Sequence, residues 1–181
     1  MVLFLYITIS ERIEKNMSAL TNKTNYALAG VRIGLGWILL WAFLDKTFGL
    51  TFSTSSEQAW LNDASPTKGF LEHGTSGPFA DWFASMAGLE AVDWLFMLGL
   101  GLIGLALILG IGIKVAVATG TLLFLMMWMA NLPPQNNPLI SDHVVYVIAL
   151  WAILYSNNEQ KLGLGRWWSE QELVKKLPIL R

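Results

Sequence analysis

Apolar residues fall into four blocks, 26–44, 94–113, 115–132 and 138–155, separated by polar or turn-rich stretches. Each block approaches the roughly 20 residues that a helix needs to cross about 30 Å of hydrocarbon. Extended chain in lipid leaves its peptide groups unpaired, so helix is the economical conformation for all four. The pattern predicts an all-α integral membrane protein, a four-helix bundle. Asp, Glu, Lys and Arg are missing from the interiors of the second and third blocks, whereas the first contains Arg32 and the fourth contains Asp142 beside His143. Ionisable residues inside spans mark the positions where function is sought first.

Lys and Arg placement gives an orientation. Arg12, Lys15 and Lys23 precede the first block, Lys114 lies between the second and third, and Lys161, Arg166, Lys175, Lys176 and Arg181 follow the fourth. Only Lys46 and Lys68 lie on the other side, which places both termini in the cytoplasm and the loop 46–93 outside. That loop is acidic, with Glu57, Asp63, Glu72, Asp81, Glu90 and Asp93. Bundle connections usually run about 2 to 8 residues, so a loop of this length carries structure of its own. Thr54 to Glu57 has capping-box spacing, and Ser65-Pro66 and Gly77-Pro78 are helix-start signals. Phe79, Trp82, Phe83 and Met86 form one apolar stripe at helical spacing. Short interfacial helices leaning on lipid or on the bundle are expected there. Gly110 to Lys114 reads as a tight turn folding the second and third spans into a hairpin.

The ends are expected to be accessory: a cytoplasmic or interfacial leader over 1–25, a membrane domain over 26–156, and a cytoplasmic amphipathic tail over 157–181. Val2 to Ile9 is apolar but short, and without a preceding basic region or a small-residue cleavage site it does not read as a secretory signal. Met17 is an alternative start. The glycines of 162–165 lack the strand-turn-helix setting of a phosphate loop, so Trp167 and Trp168 read as an interfacial anchor.

Composition sharpens this picture. Hydrophobic residues make up 54% of the 181 and charged ones 14%, against about 25% charged in ordinary soluble domains. The net charge of −1 supplies no basic excess for nucleic acid. With no cysteine the chain offers neither disulfide nor thiolate chemistry, and no iron–sulfur cluster. Haem with two histidine ligands is not expected, because His73 lies in the outer loop far from His143 in sequence. A metal site fails on ligand count, and a channel lacks a charged ring or filter.

One level of the bundle gathers the candidate chemistry: Asp45 and Lys46 end the first span outside, Asn131 ends the third, and Asn136, Asn137, Asp142 and His143 open the fourth. Trp37, Trp41 and Asp45 share a stripe on the first helix, and Tyr146 lies one turn beyond Asp142 and His143. With Trp128 these residues describe an aromatic-walled pocket with ionisable groups at its mouth, suited to a flat amphipathic ring such as a quinone head. Histidine is the one residue type in the spans whose unperturbed pKa lies near neutrality, so His143 is expected to be able to exchange protons with a reduced carrier. Each residue also has a plain structural explanation: Asp142 by the helix dipole, Asn137-Pro138 as a cap, and terminal tryptophans as interface anchors. Arg32, flanked by Gly30 and Gly34 in a GxxxG pattern, is expected to snorkel or to pair with carbonyls, with a substrate role as the alternative. The glycines from Gly99 to Gly120 are expected to allow close helix approach.

Several stretches resemble the DoxX/DoxD family: Gly30 to Trp37 continuing to Trp41-Ala42-Phe43-Leu44-Asp45-Lys46, Val92 to Met97, the run from Leu132 to Ile140 with Asp142-His143, and Leu162 to Trp168. The proline–asparagine run with its following Asp-His is the most specific of them. The resemblance implies a prokaryotic inner-membrane, multi-pass protein with a four-helix DoxX-like core. It further implies likeness to the DoxD subunit of thiosulfate:quinone oxidoreductase, in which two thiosulfates are oxidised to tetrathionate as membrane quinone is reduced alongside a companion subunit, DoxA. On that basis His143 and Asp142 would handle protons, Lys46 with Asp45 would sit at an anionic reductant, and Trp41, Trp128, Tyr146 and Asn137 would frame the quinone. The expected partners are membrane lipid and a DoxA-like companion or other membrane subunits, with a homo-oligomer open. A noncatalytic scaffold subunit of a larger membrane complex is the alternative from a different functional class.

Overall fold

A computed structural model describes residues 2–134, 137–156 and 161–180, with side chains from Ser10 onward. Asn136, one of the expected site residues, lies outside the described residues. Among those described, the regular structure is helical. Helix α1 runs without a break from Val2 to Phe48, so residues 2–25 and the first span belong to one helix. The sequence explains the continuity, because no proline or glycine occurs before Gly30 and Ala, Leu, Met, Glu and Lys recur along it. The helix stops at Gly49, whose φ of +63° suits glycine and whose N–H donates to the Asp45 carbonyl at 2.8 Å.

The short helices α2 (Lys68–His73) and α3 (Ala80–Ala84) interrupt the long connection that follows. Long helices α4 (Glu90–Leu109) and α5 (Ile113–Ala130) form a hairpin through Gly110 and Gly112, both at positive φ. Helix α6 covers Asp142–Leu154, and α7 (Gly165–Ser169) and α8 (Glu172–Lys176) close the chain. The observed spans start a few residues before the expected 94–113 and 115–132, because Glu90 and Asp93 fit the N-terminal turn of α4, where the helix dipole favours them. Helices α1, α4 and α5 are long and apolar enough to cross a membrane. Helix α6 has 13 residues rather than the expected 18 of 138–155, about 20 Å at 1.5 Å per residue. Residues 137–141 instead form a turn over its N-terminus.

Helix α1 packs on α4, α4 on α5, α5 on α6, and α6 returns to α1. The interior between them contains Leu35, Leu39, Met97, Leu100, Leu107, Val117, Phe124, Leu150 and Ile153. Helices α1 and α4 bring their backbones together at Gly36 and Gly104: a Cβ on Gly36 would lie 2.8 Å from the Gly104 carbonyl, and one on Gly104 would lie 2.8 Å from the Leu40 nitrogen. The expected GxxxG contact does not form here, since a Cβ on Gly30 or Gly34 would meet nothing within 4 Å. The helical repeat turns those two positions away from α4.

The connecting loop folds onto the bundle end. Leu71, Phe83 and Ala130 form a second buried cluster, with Met86 and Val92 against it. The stripe expected over 79–86 therefore divides, because α3 is only five residues long: Phe83 is buried while Phe79 and Trp82 remain exposed. At the opposite end Lys114 donates through Nζ to the Pro178 carbonyl at 3.0 Å, and Val174 is buried. The tail is thus docked beneath the α4–α5 turn.

Candidate functional site

Three buried charged side chains secure the two ends of the bundle. Arg32 is 0% exposed. Its Nη1 donates to the carbonyls of Leu107 and Ile108, the latter at 3.1 Å, and its Nη2 donates to those of Lys161 and Leu162 at 3.0 and 3.3 Å. The guanidinium therefore satisfies carbonyls at the C-terminal end of α4, where a cation also complements the dipole, and ties the tail segment to them. Of the two structural roles expected for Arg32, the geometry is carbonyl pairing rather than snorkelling.

Asp45 and Asp93 act at the far end. Asp45 accepts from Phe52 N at 3.3 Å, Ser53 N at 2.9 Å and Ser53 Oγ at 2.7 Å. Asp93 accepts from Ser65 Oγ at 2.9 Å, Thr67 N at 3.2 Å and Thr67 Oγ1 at 2.5 Å. Each carboxylate is buried and holds one arm of the loop to a helix end. These charge-assisted hydrogen bonds offset the desolvation of the acids. Trp41 belongs to the Asp45 side, with its ring 5.8 Å from Trp37 and 5.1 Å from Phe52. Lys46 follows Asp45 in the last turn of α1 and is half-buried.

A separate cleft of about 220 Å³ opens where α5 ends and α6 begins, lined by Ser76, Trp128, Asn131, Pro134, Asn137, Ile140, Ser141, Asp142 and His143. Its rim is built by local constraints. Ser76 N donates to the Ala130 carbonyl at 2.9 Å, drawing the loop against the end of α5. Gly77 follows at φ +78°, where a Cβ would overlap the Leu132 carbonyl at 1.7 Å, so only glycine fits. Across the cleft, Asn137 Oδ1 accepts from Leu139 N and Ile140 N, both at 3.0 Å, and Trp128 Nε1 donates to the Leu139 carbonyl at 3.2 Å. These bonds shape the turn that delivers Ser141, Asp142 and His143 to the opening.

Ser141 Oγ lies 3.4 Å from His143 Nδ1. Behind the imidazole, Phe124 and Tyr146 complete an aromatic cluster, with Phe124 5.2 Å from Tyr146 and 6.2 Å from His143, and His143 6.4 Å from Tyr146. Of the site residues inferred from sequence, Trp128, Asn131, Asn137, Asp142 and His143 meet at the cleft and Tyr146 supports it from the core. Trp41, Asp45 and Lys46 are not among its lining residues. Ser76 and Ser141 were missed, as was the anchoring role of Asp93. The pairing of Ser76 with Asn131 joins residues far apart in the chain, and no local spacing signals it.

The cleft can accept a small planar group. Trp128 and Ile140 offer apolar surface, while Ser76, Asn131, Ser141 and His143 offer hydrogen-bonding groups. Its volume is below the roughly 300–1,000 Å³ of drug-sized pockets, so a ring would fit and a long tail would remain outside. Asp142 is the only carboxylate in the lining, and no lysine or arginine accompanies it among the described residues. The lining therefore joins apolar surface to neutral hydrogen-bonding groups and carries no lysine or arginine to balance a multivalent anion. Compared with known proteins, the chain matches no family model, no curated protein and no solved structure.

Proposed function

We propose that the chain is a DoxX/DoxD-like inner-membrane protein that binds a quinone-type ring in the cleft at the junction of α5 and α6. The four packed helices form its membrane bundle, with both termini cytoplasmic and the loop of α2 and α3 outside. The observation that carries this reading is the meeting of Trp128, Asp142 and His143 around one opening, backed by Tyr146. Trp128 supplies a face for the ring, and the short α6 leaves the cleft close to the acyl chains, where a quinone tail would lie. Quinone reduction consumes two electrons and two protons. His143 is suited to relay the protons, since an imidazole can both take up and give up a proton. Asn137 contributes by shaping the turn, since its side-chain oxygen is bonded to the backbone.

Thiosulfate as reductant rests on the family resemblance alone. Two thiosulfates giving tetrathionate would release the two electrons required, but the acidic loop repels such an anion. A companion subunit would have to receive it. Lys46 and Asp45 belong in this proposal as the α1 end of the same outer face, with Asp45 occupied in holding the loop.

The test is extraction of bound quinone from gently purified protein, followed by reduction of an added quinone analogue with and without thiosulfate and partner. His143→Gln is expected to remain folded and to lose quinone-linked turnover. Full turnover by a folded His143→Gln protein would remove the proton relay. A noncatalytic scaffold is the second reading, favoured by the commitment of Arg32, Asp45 and Asp93 to holding backbone. Absence of quinone together with unaltered activity of a partner complex after His143→Gln would establish that reading instead.

A further inference from the structure

Helix α1 is far longer than its bundle requires. Its buried positions, Ala29, Arg32, Leu35, Gly36 and Leu39, lie along one side, whereas residues 11–24 are exposed all round. On a different side runs a second pattern. Ile13, Met17, Leu20, Thr24, Ala27, Val31, Gly34 and Ile38 recur in alternating steps of four and three, and every one of them is exposed. This is the 3.5-residue repeat of a coiled-coil seam, continued for about 38 Å at 1.5 Å per residue. Gly30 and Gly34, which take no part in the bundle, fall beside and within it.

We propose that this seam pairs two copies of the chain through parallel α1 helices, side by side in one membrane. The seam begins in a charged stretch and continues into the apolar span, so whatever covers it must itself pass from water into lipid in the same direction. A two-fold-related copy of α1 does this by construction. Its lower part presents Ile13, Met17 and Leu20 as knobs. Its upper part presents Ala27, Val31 and Gly34, the mixture of small and branched residues that lets helices approach in lipid. The charge pattern agrees: Glu11, Arg12 and Lys15 lie off the seam, and in a parallel pairing Lys23 faces Leu28 and Asn16 faces Thr21, with no like charges opposed. A membrane surface is a poorer match. The apolar stripe is only as wide as the two seam positions, and 10–25 carries three basic and two acidic residues rather than a polybasic face. The groove lined by Lys15, Ser18, Thr21, Asn22, Asn25 and Lys161 includes none of the seam positions.

The inference needs α1 to cross the bilayer and is independent of the quinone proposal. Because the chain has no cysteine, single substitutions report cleanly. Met17→Cys and Leu20→Cys test the seam, and Ser18→Cys and Asn22→Cys test the groove side, all in full-length protein whose insertion is first confirmed by resistance to carbonate extraction. Oxidation in vesicles is expected to give disulfide-linked dimers from the two seam variants and none from the two groove-side variants. Equal cross-linking at all four positions, or none from any inserted variant, would overturn the proposal. So would labelling of Leu20→Cys by a bilayer-confined maleimide without cross-linking. Met17→Glu combined with Leu20→Glu should abolish the dimer in native mass spectrometry while leaving the thermal transition of the bundle in place; a dimer that persists refutes the seam.

Discussion

Replacing Gly36 with alanine tests how the bundle is held together, because one methyl group must enter a gap between two backbones. Its Cβ would sit 2.8 Å from the Gly104 carbonyl oxygen and 2.9 Å from the Ile108 nitrogen, where ordinary contact begins near 3.4 Å. Neither atom belongs to a movable side chain. Helix α4 must therefore withdraw by about 0.6 Å. Overpacking of this kind costs about 1–3 kcal/mol, more than the roughly 0.5–1 kcal/mol that alanine returns in helix propensity. Gly34→Ala two residues earlier adds a methyl to open space, and in a monomeric micelle preparation it should be neutral or slightly stabilising. The assay is reversible unfolding in a gradient of denaturing detergent, followed by helical circular dichroism. Gly104→Ala should resemble Gly36→Ala, and the double variant should cost less than the two costs added, since separation forced by the first methyl makes room for the second. Equal losses from Gly34→Ala and Gly36→Ala, or strict additivity of the double variant, would refute the contact.

Two buried charges and one glycine give three further expectations. Arg32→Met leaves the carbonyls of Ile108, Lys161 and Leu162 without this donor, and should lower stability by about 1–3 kcal/mol; hydrogen exchange should quicken at 161–169 before it does in α4, and uniform protection would contradict the tie. Asp45→Asn replaces an acceptor of three hydrogen bonds with a neutral amide, at a cost of about 1–3 kcal/mol, and limited proteolysis should then cut between 50 and 58; an unchanged digest would argue against the anchor. Gly77→Ala should collapse the cleft rim through its overlap with the Leu132 carbonyl, read as a changed emission of the tryptophan at 128 in a background with the other tryptophans replaced.

The long helices were legible because hydropathy and length are local properties, and α4 and α5 fall within about four residues of the blocks that announced them. Residues 2–25 and the first apolar block differ in hydropathy yet share one helix, because a helix that passes between solvents keeps its conformation while hydropathy reports only the solvent. The expectation at the glycines failed for another reason. GxxxG spacing locates a smooth face without saying which neighbour it meets, and here Gly36, outside that motif, makes the contact. The cleft was half legible. Trp128, Asp142 and His143 could be grouped by depth along parallel axes, but Asp45, at similar depth, turns toward its own loop to accept Ser53 and Phe52. Depth constrains one coordinate of a site; rotation about each helix supplies the other, and it follows from packing.

That rotation also explains why the candidate site lies at α6 rather than along the ionisable residues of α1. Asp45 stands near the C-terminus of its helix, where the dipole disfavours an anion, and is retained there by three donors from the loop. Asp93 stands at an N-terminus and receives both dipole and donors. With Arg32 on the carbonyl end of α4, the buried charges close the ends of the long helices in complementary ways. Asp142 shares the favourable position of Asp93, in the first turn of its helix, yet it is exposed. His143 beside it is half-buried and touches Ser141 at 3.4 Å. Among the described ionisable residues, Asp142 and His143 line the opening together with Trp128, and His143 packs against Phe124 and Tyr146; this is the arrangement that the proposed proton exchange with a bound ring would use.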